Sequence, residues 1–294
     1  MKVAIDSVLH ASYNNIELIV QDDNSKDNTW EIICNFKDTR IKKDRNLNNI
    51  GEYPNRKLAL ERATGKYVLF LDGDDFIYPH AIEFIVNMFE AFPNCGMATM
   101  GVYRPDILYP ITLTPHQFII AELFGDISSK VGFTSNIFKT ELLKEVGMPI
   151  IYKTGDTYLR RKMGLKAPTL LIGSDLTWWR QTPGQAFQLA INNLQNRIDS
   201  FNYTYEFVEE AKNILTVHEY RMAMLNIRRN FISVLKHYII RGKFKSLIEI
   251  IKSIKFKWSI YDFKHKVYRQ KLFQDNDVTN PYMLPLKQNP YSKH

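Results

Sequence analysis

Residues 63–79 read ATGKYVLFLDGDDFIYP. Gly65 stops a helical segment, Tyr67–Leu71 is a five-residue apolar run of the kind buried on both faces of a sheet, and that run passes directly into Asp72-Gly73-Asp74-Asp75. Upstream, IELIVQDDNSKDNT at 16–29 has the same plan. A compact strand from Ile16 to Val20 ends in Asp22-Asp23, and Asn24 to Asp27 supply turn and capping residues before a helix carrying Trp30, Ile32, Ile33 and Phe36. Ile41 opens a short strand, and Ala4 to Leu9, Leu58 to Ala63 and Pro79 to Phe92 are helical. Helices alternating with short strands predict an α/β domain with a parallel sheet. Both acidic clusters then fall at the carboxyl ends of strands, where open α/β sheets bind ligands.

The 294 residues are 45% hydrophobic and 24% charged, which excludes a disordered or fibrous chain. No run of eighteen apolar residues occurs, and the first residues lack the order of a signal peptide, so the expected location is the cytoplasm. Cys34 and Cys95 form no CxxC pair, which argues against a disulfide framework and a structural zinc site. The net charge of +8 is uneven: residues 218–271 hold 14 Lys/Arg against 3 Asp/Glu. Glycine disappears from Phe187 until Gly242, and helical periodicity takes over. Phe244, Leu247, Ile248, Ile251, Ile254 and Trp258 keep helical spacing, while Lys245, Glu249, Lys252 and Lys255 occupy other faces, the pattern of a basic amphipathic helix. The expected organisation is an α/β catalytic domain over 1–186, a basic helical extension over 187–271 and an irregular tail over 272–294.

Asp72, Asp74 and Asp75 gather carboxylates on one tight turn, an unfavourable arrangement unless a cation neutralises them. Mg2+ and Mn2+ prefer oxygen ligands and bridge a few carboxylates to substrate phosphates, so a nucleoside diphosphate suits this turn. A short DxD also occurs as a solvated acidic turn, and that reading stays open. A calcium loop is excluded, because Phe76 and Ile77 stand where a ligand and a glycine are required.

In order and spacing, several segments resemble the family-two glycosyltransferases of the GT-A fold. They are residues 16–29 and 63–79 above, NLNNIG at 46–51, Phe138 to Gly147, GDTYLRRKMG at 155–164 and WWRQTPGQ at 178–185. The resemblance covers roughly residues 2–187 and implies a GT-A (nucleotide-diphospho-sugar transferase, Rossmann-like) sheet. It implies that Asp23 hydrogen-bonds the nucleotide base with Asp22 as its supporting neighbour, and that Arg56 helps hold base or diphosphate. Asp74 and Asp72 match the DxD, with Asp74 on Mg2+ or Mn2+, Asp72 on ribose or metal-bound water, and Asp75 an alternative ligand. Asp156 matches the general base, with helix capping as a second role. Trp178, Trp179 and Arg180 match the stretch closing the acceptor side, Gln181 and Gln185 line the same region, and core packing of one tryptophan stays open.

The implied reaction is inverting transfer from a nucleotide-diphosphate sugar, a UDP-sugar first, to a glycan or lipid-linked acceptor in cell-surface polysaccharide assembly. In this family a hydrophobic strand precedes the first helix, whereas here the chain starts inside that helix at about Lys2. The expectation is an upstream start, and otherwise a catalytically inactive nucleotide-sugar or glycan-binding module with unpaired neighbouring strands. Residues 218–271 invite an anionic membrane surface, either for a peripheral enzyme or for a peripheral membrane scaffold. Nucleic acid is the weaker partner, since no nucleic-acid motif accompanies the charge.

Overall fold

The computed structural model describes residues 1–100, 109–125, 132–149, 155–173, 176–180, 193–264 and 266–269. Helix α1 (Lys2–Leu9) buries Ala4, Ile5 and Val8. Strand β1 (Leu18–Asp22) turns Val20 and Asp22 inward. After α2 (Thr29–Asn35), β2 (Ile41–Arg45) pairs with β1 in parallel, Leu18 opposite Ile41 and Asp22 opposite Arg45. Helix α3 (Glu52–Arg62) starts six residues earlier than Leu58. Gly51 supplies the entering turn at φ +93°, and Pro54 lies in the first turn, where its missing N–H has no helical partner.

Next come β3 (Tyr67–Leu69), β4 (Phe76–Ile77), α4 (Ala81–Ala91), β5 (Met97–Met100), β6 (Ile111–Leu113) and α5 (Pro115–Phe124). They are followed by β7 (Asn136–Lys139), α6 (Thr140–Val146), α7 (Gly155–Lys166), β8 (Thr169–Ile172) and β9 (Thr177–Trp178). The main sheet runs β3-β7-β5-β8-β6, with β5 and β8 parallel and the other pairs antiparallel. The parallel sheet expected from the sequence is found in the β1–β2 and β5–β8 pairs, while the main sheet as a whole is corrected to a mixed one. The apolar run marks β3 as a strand, though Tyr67, Val68 and Leu69 are only half-buried because one edge of β3 meets a cavity. It carries no information about the direction of its partner β7, which is supplied from the second hundred residues.

Of three C-terminal helices, α8 (Leu194–Glu210), α9 (Val217–Ile240) and α10 (Phe244–Ser253), α8 packs on α7, and α9 and α10 pack on α8 and on each other. A capping box between Thr216 and Glu219 starts α9. Phe207, Phe231, Leu235 and Ile250 share one core with Phe118, Phe138, Met163 and Leu171. The predicted apolar stripe divides. Leu247, Ile254 and Trp258 pack on the core beside Ile250, a fully buried residue outside that stripe, whereas Phe244, Ile248 and Ile251 stay 59%, 53% and 38% exposed. Expectations for the tail at 272–294 lie outside the described residues.

Strands β1 and β3 flank a cavity of about 960 Å³. Among the described residues β1 is bonded only to β2 and β3 only to β7, so one edge of each faces the gap. Met1, Ala4, Ile5 and Val8 of the α1 region line one side, and Asn55, Arg56, Ala59 and Leu60 of α3 another. At the amino ends Glu17 bridges the gap by accepting the backbone N–H groups of Thr64 (2.6 Å) and Gly65 (2.7 Å). The opposite end is lined by Asp22, Asp23 and Asp72.

Candidate functional site

The acidic turn is closed by a bond from the Asp75 N–H to the Asp72 carbonyl, 3.0 Å. Asp72 is 42% exposed and its Oδ1 lies 2.5 Å from Arg56 Nη2. Arg56 also pairs with Glu52 one turn earlier on α3, and its guanidinium lies 4.4 Å above the Phe133 ring. With its side chain 12% exposed, Arg56 is no surface arginine. Burial alone would lower its pKa, but the Asp72 and Glu52 carboxylates outweigh that and hold it raised.

Asp75 points the other way and is 2% exposed. Its Oδ1 accepts the Arg180 backbone N–H (3.0 Å) and its Oδ2 accepts the Thr134 hydroxyl (3.0 Å). Burial pushes its pKa up, with those two bonds opposing and Asp72 and Asp74 adding to the rise. Both oxygens are engaged, so Asp75 tethers the 178–180 segment and the Thr134 turn to the acidic turn. Among the described residues no three His, Cys, Asp or Glu side chains converge on a metal position. Asp72 and Asp74, two residues apart on an open turn, match the sparser demand of Mg2+ or Mn2+, one or two carboxylates completed by substrate phosphates.

Asp22 and Asp23 divide the labour at the end of β1. Buried Asp22 accepts from Ser25 and pairs with Arg45 Nε at 3.0 Å. Asp23 accepts from the Asn46 side chain and the N–H groups of Ile50 and Gly51, each at 2.8 Å, and so fixes the loop that launches α3. Three accepted bonds leave a carboxylate with residual acceptor capacity.

Asp156 stands in the first turn of α7, partly buried, where a carboxylate also complements the helix dipole. Its helix is fixed on both sides. The Gly155 N–H donates to Tyr53 Oη of α3 (2.8 Å), and Tyr203 Oη of α8 donates to the carbonyls of Thr157 (3.2 Å) and Tyr158 (3.1 Å). Trp178 and Trp179 are each 51% exposed, which settles them as surface rather than core aromatics. Trp178 stacks on Phe76 at 6.0 Å across the β4–β9 pair. Gln181 and Gln185 lie outside the described residues.

Thus the acidic turn reaches α3 through Arg56, the tryptophan segment through Asp75, and, by way of Tyr53, the helix of Asp156. The sequence profile of Glycosyl transferase family 2 matches residues 1–164. The chain belongs to that family. The Escherichia coli UDP-Glc:alpha-D-GlcNAc-diphosphoundecaprenol beta-1,3-glucosyltransferase WfaP is 44% identical over 72 residues, 24% of this chain and 29% of that protein. The Campylobacter jejuni GalNAc(5)-diNAcBac-PP-undecaprenol beta-1,3-glucosyltransferase is 35% identical over 157 residues, 49% of this chain and 48% of that protein. The chain spans less than half the length of either relative. Among solved structures, Staphylococcus aureus TarS with UDP-GlcNAc superposes at TM-score 0.57 and 16% identity, covering 91% of this chain and 92% of that one. A Pyrobaculum calidifontis mannosyltransferase with GDP-Man and Mn2+ gives TM-score 0.52 at 14% identity, covering 85% and 80%. These likenesses establish the GT-A fold.

In this family member several residues that hold the site are not singled out by the sequence. Glu122 of α5, fully buried, accepts from Arg160 and from Arg161 Nε (3.1 Å), and thereby clamps α7 one turn beyond Asp156. The adjacent arginines in GDTYLRRKMG were the available signal, since a helix carrying two arginines beside apolar Leu159 and Met163 needs a buried counter-charge. Tyr53 and Tyr203 gave no comparable signal, because their partners are backbone groups distant in sequence.

Proposed function

We propose that the chain transfers a sugar from a nucleotide-diphosphate donor, a UDP-sugar first, to a glycan or lipid-linked acceptor, with inversion, in cell-surface polysaccharide assembly. The observation that carries this reading is the bonding of the acidic turn to Arg56 on one side and to the Trp178–Arg180 segment on the other. Donor-side and acceptor-side residues then meet at one turn. Asp156 removes the acceptor hydroxyl proton, the acceptor oxygen bonds to the anomeric carbon from the face opposite the diphosphate, and the anomeric carbon–oxygen bond breaks with its electron pair leaving on the nucleoside diphosphate. Asp74 and Asp72 would hold Mg2+ or Mn2+, which when bound would supply positive charge to the departing diphosphate. Asp22 and Asp23 shape the base end of the cleft, Asp23 through its remaining acceptor capacity. The relatives named for UDP-Glc and diphosphoundecaprenol acceptors, and the neighbour holding Mn2+, support these choices.

The test offers UDP-, GDP- and dTDP-sugars with a GlcNAc-diphosphoprenol acceptor, with and without Mn2+, and reads the anomeric configuration of the product. Metal-dependent formation of a β-linked product from an α-linked donor is expected. Folded protein that binds UDP and never turns over favours the alternative, a binding module without activity. The gap between β1 and β3 is the one feature that favours that alternative. We propose that residues 1–186 act as the transfer domain, with 187–271 packed on it.

The exposed side of α10 suits the inner face of a cytoplasmic membrane. Phe244, Ile248 and Ile251 form a stripe at helical spacing, Ile240 precedes it, and Arg241, Lys243, Lys245 and Lys252 surround it, all exposed. Among the described residues no helix is long and apolar enough to cross a membrane. Co-sedimentation with vesicles that rises with anionic lipid content is expected, and binding indifferent to that content would remove this element.

A further inference from the structure

Tyr53 lies on α3 three residues before Arg56, in the helix whose launching loop is fixed by Asp23. Its hydroxyl accepts the N–H of Gly155, a donor that the first turn of α7 cannot satisfy within the helix. The contact is close as well as polar. A Cβ on residue 155 would lie 2.2, 2.7 and 2.8 Å from three Tyr53 ring carbons, so the aromatic ring fills the space that only glycine leaves. The ring also meets Phe133 at 5.9 Å and the Arg56 guanidinium at 6.0 Å. One aromatic side chain therefore touches both the cation paired with Asp72 and the residue preceding Asp156.

We propose that Tyr53 is a positioning residue that sets the carboxylate of Asp156 against the donor bound along α3. The inference rests on the reading of Asp156 as the base. Asp156 and Arg56 have no direct bond in the structure, so their relation is set through a rigid intermediary. Tyr53 supplies it with a ring wedged against Gly155 and a hydroxyl that fixes the rotation of the first helical turn. Misplacement of a reacting group by about 1 Å is enough to cost roughly a hundredfold in rate.

Three single variants and one double variant separate the possibilities, each assayed for donor KM, kcat of transfer, UDP binding by calorimetry and thermal midpoint. Tyr53→Phe keeps the ring and loses the acceptor. It is expected to lower kcat about fivefold, the value of one hydrogen bond, with donor KM and UDP affinity within about twofold of wild type. Gly155→Ala forces the ring aside and is expected to lower kcat by about a hundredfold. Asp156→Asn should lower transfer about a thousandfold to a measurable residual rate, and Tyr53→Phe added to it should cause no further loss, since the group being positioned is gone. An unchanged kcat in Tyr53→Phe, with Asp156→Asn reduced to that residual rate, would overturn the role of Tyr53 alone. A loss of UDP affinity in Tyr53→Phe equal to its loss of kcat would also overturn it, by making Tyr53 a support of the donor site. Undiminished transfer in Asp156→Asn would overturn the base reading, and the positioning inference with it.

Discussion

Replacing Glu122 by Gln should uncover how much the fold depends on one buried charge. The Glu122 side chain is 1% exposed and Arg160 beside it 2%, so the substitution leaves a buried guanidinium without a counter-charge. Breaking such a pair from one side costs about 3–5 kcal/mol. Arg161 moderates this, because it is 11% exposed, donates to Thr204 and lies over the rings of Tyr203 (5.3 Å) and Phe207 (5.0 Å). The expected loss is about 3 kcal/mol in urea unfolding at neutral pH, or roughly 6–12 °C in midpoint for a chain of this size. Replacing both partners, Glu122→Leu with Arg160→Met, should recover most of it, since a buried pair exchanged for apolar groups is close to neutral. Burial alone would raise the Glu122 pKa, but Arg160 and Arg161 hold it below its ordinary 4.5. The sign follows: its stabilisation is complete above about pH 4.5 and is lost as pH falls below, so Glu122→Gln should have a flatter acid limb than wild type. A loss under about 1 kcal/mol, or a double variant no more stable than the single one, would refute the reasoning.

Further outcomes follow from other contacts. Asp74→Asn should weaken Mn2+-dependent UDP binding by at least about tenfold in calorimetry, and equal binding by wild type with Mn2+ or with chelator would show that no metal takes part. Glu17→Gln should cost about 1–2 kcal/mol at neutral pH, because Lys42 and the Thr64 and Gly65 N–H groups overcome the effect of burial and hold the Glu17 pKa at about 2. That stabilisation is present above about pH 4.5 and disappears as pH falls towards 2, so melting curves of the two proteins should converge in acid. Alanine at both Trp178 and Trp179 should raise acceptor KM about tenfold with donor KM unchanged, whereas an equal rise in donor KM would place them on the donor side.

Much of the site could be read along the chain because its parts are local. A β-strand running into Asp72-Gly73-Asp74-Asp75 puts carboxylates on a turn by covalent geometry alone, and Gly155-Asp156 opens a helix for the same reason. Partners were not legible. That Asp72 pairs with Arg56 while Asp75 binds Thr134 and Arg180 depends on which way two nearby carboxylates point, and only packing decides that. The C-terminal stripe shows the same limit. Its 3.6-residue period was plain in Phe244 to Trp258, but which edge meets the core and which meets solvent was set by the helices already in place.

The sequence by itself determined the alternation of helices and strands, the acidic turns at strand ends and the basic character of the last helices, since each arises from neighbours within a few residues. Tertiary structure alone decided the mixed direction of the sheet, the gap between β1 and β3, the buried Glu122–Arg160 pair and the seat of Tyr53 against Gly155. These join residues separated by tens of positions, and burial sets the strength of such contacts by excluding water, a quantity that no local pattern records.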